Sequence, residues 1–197
     1  MCYNKPNIFA FRAPSFRRKN RNGKGDRMKN IVLIGMPGTG KSVVGRALSR
    51  RLNYTFIDVD DLITEKTGKT LPEILRTEGL DAFLAIEGQI GEELQLENTI
   101  IATGGSMVLS EKAMDNLRKN GVTVWLETPI SQISQRMPED LLDRGIAALP
   151  GMTIREIYEE RKPLYAKYAD LIVVSQEGEE NTAHQVETVM NTVGIRL

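Results

Sequence analysis

Gly35-Met36-Pro37-Gly38-Thr39-Gly40-Lys41-Ser42 satisfies G-x-x-x-x-G-K-[ST] at every constrained position. The pattern admits few folds, because such a loop must leave a buried strand and enter a helix. The flanking sequence meets both conditions. Asn30 to Ile34 is a mostly apolar run suited to a strand covered on both faces, and Ser42 to Leu52 has helical character with Arg outside. The glycines let successive backbone N–H groups turn inward toward phosphate oxygens, and the following helix adds its positive dipole end. Gly38, Thr39, Gly40, Lys41, Ser42 and Val43 are therefore the expected cradle of a nucleoside triphosphate. Lys41 is placed at the β- and γ-phosphates, and the Ser42 hydroxyl is placed on Mg²⁺.

The rest of the chain alternates strands with helices. Tyr54 to Val59 reads as a second strand closing on Asp58-Val59-Asp60-Asp61. Two carboxylates spaced two apart on extended backbone point to one side, at the same edge as the phosphate loop if the sheet is parallel. One can hold the water shell of Mg²⁺ and the other can take a proton from an attacking hydroxyl; equally, such acids favour a helix start. Thr70-Leu71-Pro72-Glu73 has capping-box spacing for a short helix to about Thr77. A longer helix is expected from Leu80 to Leu96 with Phe83, Ile86, Ile90 and Leu94 inward, and Glu87 on its solvated side.

Thr99 to Ala102 is a third strand, followed by Thr103-Gly104-Gly105-Ser106, where paired glycines permit close approach of a ligand. Ser110 caps a helix through Lys119, and Val122 to Leu126 is a fourth strand. After helical residues to Arg136, the stretch Met137 to Met152 is punctuated by Pro138, Gly145, Pro150 and Gly151, and it reads as a surface loop or a lid. A second capping box at Thr153 to Glu156 opens a helix containing Arg161-Lys162-Pro163-Leu164-Tyr165. Leu171 to Val174 is the fifth strand, Gln176 to Asn181 a polar loop, and His184 to Val193 a closing helix. The fold class expected is α/β: a three-layer P-loop fold with a five-stranded parallel sheet and helices on both faces.

Charge narrows the partners. Residues 1–27 carry eight Lys or Arg against Asp26 alone, leaving 18 basic and 25 acidic groups in residues 28–197, a net of −7. An acidic body of this kind lacks the cation cluster that nucleic-acid binding requires, so the partner expected is a small molecule. The basic segment is either translated sequence upstream of the true start, the reading preferred, or an organelle-targeting peptide, or a disordered arm. The one cysteine, Cys2, lies within it, which precludes an internal disulfide and suits a reducing compartment. No apolar run approaches the ~20 residues of a membrane span. The expectation is one domain over 28–197, monomeric and cytoplasmic, with a substrate-binding helical segment at about 60–97 and a lid at about 137–152.

Asp58-Val59-Asp60, the Phe83 to Glu87 segment, Thr103-Gly104-Gly105 and Arg161-Lys162-Pro163-Leu164-Tyr165, in that order behind the phosphate loop, resemble shikimate kinase over essentially residues 28–197. The resemblance implies a nucleoside-monophosphate-kinase type of fold and transfer of the ATP γ-phosphoryl to the 3-hydroxyl of shikimate. It implies that Asp58 lies near Mg²⁺, and that Asp60 binds and deprotonates the acceptor hydroxyl. Arg161 would hold the acceptor carboxylate, Arg136 would lie against the adenine, and Arg144 would be the lid arginine that neutralises the transferring phosphoryl. Gly104, Gly105 and Ser106 would lie against the acceptor.

Three positions depart from the family pattern. Leu84 stands where the family has an arginine sharing the acceptor carboxylate, Ser106 replaces a third glycine, and Gly145 follows Arg144 where the family usually has proline. All three fall on the acceptor side or its lid. Charged hydrogen bonds are worth about 1.5 to 3 kcal/mol each, so Leu84 alone predicts roughly ten- to a hundredfold weaker capture of shikimate. Two further readings stay open on that ground: a kinase of the same fold for a different small hydroxy compound, and a nucleotide-binding regulatory protein without turnover.

Overall fold

Five short strands form one all-parallel sheet in the order β2-β3-β1-β4-β5, with β1 and β3 buried throughout and β2 partly exposed at the edge. They are β1 (Asn30–Ile34), β2 (Thr55–Asp58), β3 (Thr99–Ala102), β4 (Val122–Glu127) and β5 (Leu171–Val174). The computed structural model describes residues 30–138, 140–175 and 181–193. The basic segment 1–27, and all of the expected 176–181 loop but Asn181, lie outside them.

Alternation along β1 sets the layers. Ile31 and Leu33 point to one face, Val32 and Ile34 to the other, and all four are fully buried. The first face packs on Val44 and Leu48 of α1 (Lys41–Leu52) and on Val186, Val189, Met190 and Val193 of α8 (Asn181–Val193). The second face carries the larger cluster. It collects residues from α2 (Val59–Thr67), α3 (Leu71–Thr77), α4 (Leu80–Glu93), α5 (Glu111–Lys119), α6 (Ile130–Gln135) and α7 (Ile154–Tyr168). The three-layer reading of the sequence therefore holds, with a thin face and a thick one.

Both expected capping boxes form. Thr70 accepts from the Glu73 N–H while Glu73 bonds back to Thr70, and Thr153 and Glu156 do the same at α7. Two boundaries move. The second strand ends at Asp58, and helix α2 begins at Val59, where extended backbone was expected to run to Val59. Helix α4 stops at Glu93, three residues short of the expected end.

Strand β1 lies between β3 and β4, so the chain leaves it at the point where the strand order reverses. Crevices at the carboxyl edge of such a sheet open there, because the connections on either side diverge to opposite faces. The phosphate loop, the Asp58 to Asp60 turn and the Thr103 to Ser106 turn all leave this edge.

Candidate active site

The loop Gly35 to Ser42 is held by its own side chains. Thr39 Oγ1 donates to the Met36 carbonyl at 3.0 Å, and Lys41 Nζ donates to the Gly35 and Met36 carbonyls at 2.9 and 2.8 Å. Gly40, at φ 89°, takes the left-handed conformation from which α1 starts, which disfavours any side chain there. Lys41 is buried at the head of α1. Burial lowers its pKa to about 8, against the opposing pull of Asp60, Asp58 and Glu87. Desolvation outweighs three nearby carboxylates, and the ammonium is correspondingly primed for an anionic partner.

Asp58 is both the end of β2 and the cap of α2. Its Oδ2 accepts from Ser42 Oγ at 2.6 Å, and its Oδ1 from the Asp60 N–H at 3.2 Å. The two carboxylates do share one cleft, as expected, but not by extended alternation: Asp60 sits in the first turn of a helix that Asp58 caps. Burial raises the Asp60 carboxyl to about 6, with the Asp58 charge adding to the shift and Lys41 opposing it.

These groups line one cleft of about 420 Å³, together with Pro37, Phe83, Arg136, Arg144 and Arg161. That volume suits small molecules rather than a polymer surface. Gly38, Gly40, Lys41, Ser42 and Val43 of the phosphate loop line it together with Gly104, Gly105 and Ser106 of the turn after β3. Thr39 is outside the lining; it ties the loop from beneath. Arg136 donates to the Gly38 carbonyl at 3.0 Å, which puts it on the rim of the phosphate loop.

Arg161 is 2% exposed on α7, where its Nη2 donates to the Ala147 carbonyl and its Nε has no partner. One turn later, Tyr165 stacks on Trp125 and donates its hydroxyl to the Gly105 carbonyl at 2.7 Å. Tyr165 thereby fixes the Gly104–Gly105 turn, a role that its place in the motif did not disclose.

The segment between α6 and α7 folds over the cleft. Arg144 faces Asp60 closely enough to pull its pKa down, and Ile146 and Ala147 are buried. The glycine that replaces proline has a structural reason. Gly145 adopts φ 73°, inaccessible to proline, and a Cβ there would stand 2.7 Å from that of Leu71 on α3. An exposed ion pair between Arg76 and Asp143 joins the same two regions.

Glu87 is the largest correction. Assigned to the solvated side of α4, it is 1% exposed and lines the cleft; burial raises its carboxyl to about 7, partly offset by a hydrogen bond from Ser106. Its Oε1 has no hydrogen-bond partner. The signal was present in the sequence, since Phe83 and Glu87 are four apart and share a face. Apolar periodicity alone discounted a carboxylate on that face. Leu84, by contrast, is half-buried against the apolar cluster.

The residues present also fit a Mg²⁺ nucleotide. A serine hydroxyl beside a carboxylate is a hard-oxygen pair, and the described residues contain no group of three or more His, Cys, Asp or Glu able to hold a metal. Magnesium asks for no more, since it keeps several waters and takes substrate phosphates as ligands.

Comparison with known proteins agrees with this geometry. The family model for shikimate kinase matches residues 37–193. The chain is 35% identical over 152 residues to the shikimate kinase of Persephonella marina, spanning 77% of this chain and 91% of that one. Against the shikimate kinase of Caldanaerobacter subterraneus subsp. tengcongensis it is 37% identical over 163 residues, spanning 81% and 94%. The solved shikimate kinase from Acinetobacter baumannii in complex with shikimate superposes with a TM-score of 0.75 at 29% identity, covering 86% of this chain and 96% of that one. Among the described residues no helix is long and apolar enough to cross a membrane. With the phosphate loop, the Asp58–Asp60 pair and the α7 arginine gathered at one sheet edge, the chain belongs to the shikimate kinase family, a P-loop phosphotransferase with an alcohol acceptor.

Proposed function

We propose that this protein transfers the γ-phosphoryl of ATP to the 3-hydroxyl of shikimate, giving shikimate 3-phosphate and ADP. One observation carries the reading: a P-loop lysine, a carboxylate of raised basicity and a buried arginine with a free N–H line a single small cleft.

Each residue has a physical task. The loop N–H groups and Lys41 orient the phosphates. Ser42 and Asp58 would hold Mg²⁺, which would supply positive charge to offset that of the phosphates. Asp60 accepts the hydroxyl proton. At about 6 its basicity exceeds that of an ordinary carboxylate, yet it remains mostly ionised at neutral pH. Arg161 receives the acceptor carboxylate, a geometry that a guanidinium fork matches better than an ammonium. The 137–152 segment serves as the lid: it carries Arg144 over the transferring group and keeps water from taking the phosphoryl.

The test is ATP turnover with Mg²⁺, comparing shikimate with small hydroxy acids, polyols and amino alcohols, with Asp60→Asn as blank. Shikimate 3-phosphate formation with a KM in the micromolar-to-millimolar range supports the reading. Turnover with another alcohol only would favour the second reading, a kinase of this fold for a different hydroxy compound, for which the apolar packing of Leu84 speaks. Binding of ATP without turnover on any acceptor would leave a regulatory protein.

A further inference from the structure

At Gly105 the turn after β3 packs directly on the phosphate loop. A Cβ built on Gly105 would stand 2.7 Å from Pro37 Cδ and 3.0 Å from Pro37 Cγ, so only glycine lets turn and loop come this close. The Gly105 carbonyl accepts from the Tyr165 hydroxyl at 2.7 Å. The same hydroxyl lies 3.6 Å from Met36 Sδ, again in the loop. A phenol has one proton to give, and a short bond to a carbonyl outranks a long one to a thioether, so Gly105 receives it.

Tyr165 is itself held in place. Its side chain is fully buried, its ring stacks on Trp125 with centroids 5.8 Å apart, and burial raises its phenol above the ordinary tyrosine value, which keeps it a donor. It stands one turn after Arg161 on the same face of α7. One helix therefore carries both the buried cation of the cleft and the tie to the turn.

The tie governs more than one oxygen. The turn begins at Thr103, whose N–H and Oγ1 donate to the Leu33 carbonyl at 3.1 and 3.0 Å. Because a peptide is planar, holding the Gly105 oxygen also sets the direction of the Ser106 N–H. Among the described residues no hydrogen bond takes the N–H of Gly104, Gly105 or Ser106, so these donors are unspent in a turn that lines the cleft.

We propose that Tyr165 is a positioning residue for the transfer: its hydroxyl pins the turn that receives the acceptor to the helix bearing Arg161, beside the phosphate loop, and so sets the spacing and aim with which the acceptor hydroxyl meets the transferring phosphoryl. The inference rests on the reading of this cleft as a site for phosphorylating a hydroxy acid. Tyr165 is not among the lining residues, and it acts through Gly105. Transfer is sensitive to such a tie, since misplacing the reacting groups by about an ångström costs on the order of a hundredfold in rate.

The test is Tyr165→Phe, which removes the hydroxyl and keeps the ring and its stack, assayed with Mg·ATP and shikimate. The kcat for transfer falls by about ten- to a hundredfold while the KM for ATP stays within about twofold. Acceptor-free ATP hydrolysis is unchanged, so more ADP is released per shikimate 3-phosphate formed. Trp125→Phe disturbs the packing under the ring and spares the hydroxyl; it lowers the melting temperature and leaves that ratio as in the wild type. A folded Tyr165→Phe with the wild-type kcat, an equal fall in transfer and in acceptor-free hydrolysis, or an equal change of the ratio in Trp125→Phe overturns the positioning role and leaves the acceptor assignment standing. Should Tyr165→Phe not fold, Pro37→Ala, which removes the loop's contact with Gly105, decides in its place: a raised ratio supports the tie and an unchanged one overturns it. Absence of transfer to shikimate by the wild type overturns the assignment and this inference together.

Discussion

The two ends of the cleft are built in opposite ways. The phosphate-loop end comes from one unbroken run, Gly35 to Ser42, whose threonine and lysine bond to carbonyls within the same run. The acceptor end is assembled from α2, α4, the turn after β3, the 137–152 segment and α7, which meet only in the folded chain. Among the described residues no buried side-chain atom of the loop lacks a partner, whereas Glu87 Oε1 on α4 and Arg161 Nε on α7 do. Local construction lets the loop's threonine and lysine find partners within the loop itself. Assembly from distant parts leaves the acceptor end with free valences, and there the chain departs from its family at Leu84, Ser106 and Gly145.

The largest effect expected is at the phosphate-loop end. Lys41→Met removes the phosphate-loop cation and should lower kcat by about a thousandfold or more, with the fold unchanged by circular dichroism. A modest loss would mean that the two ends are less distinct than their construction implies.

Glu87→Gln should instead stabilise the ligand-free protein at pH 8. The folded carboxyl is raised from 4.5 to about 7, so the stability it contributes is complete below 4.5 and is lost as pH rises through about 7. The difference approaches about 3 kcal/mol at pH 8 and vanishes near pH 4. Denaturant melts at both pH values check it, and equal midpoints at pH 8 would place Glu87 in contact with water.

Arg161→Met should raise the KM for the acceptor by about ten- to a hundredfold while the KM for ATP stays within a few-fold, because only the acceptor end loses a charged donor. Equal rises in both would join what the comparison separates.

Smaller effects belong to the segment over the cleft. Gly145→Ala meets both a positive φ and Leu71, and should cost about 1 kcal/mol of stability and raise ATP hydrolysis relative to transfer, as read by ADP released per phosphorylated acceptor. Arg76→Ala, which breaks an exposed pair, should change stability by less than about 1 kcal/mol.

How far the sequence could be read follows from these same residues. The loop, five strands and both capping boxes were legible because each is written in neighbouring residues. Asp58 and Asp60 were rightly joined for a wrong local reason: strand alternation was invoked where a helix cap brings them into one cleft. Glu87 was misplaced because nothing near it in the chain says that Asp60, Gly104 and Arg161 will close around it. The work of Tyr165 was hidden for the same reason, since its partner, the Gly105 carbonyl, lies sixty residues away.

The sequence by itself determined the phosphate loop, the α/β alternation and, through four short motifs in order, the family. Tertiary structure alone decided the burial and charge of Glu87, the free N–H of Arg161, and the left-handed path at Gly145. The physical reason is range: hydrogen-bond patterns and side-chain periodicity are fixed within a few residues, whereas desolvation depends on every segment that packs around a group.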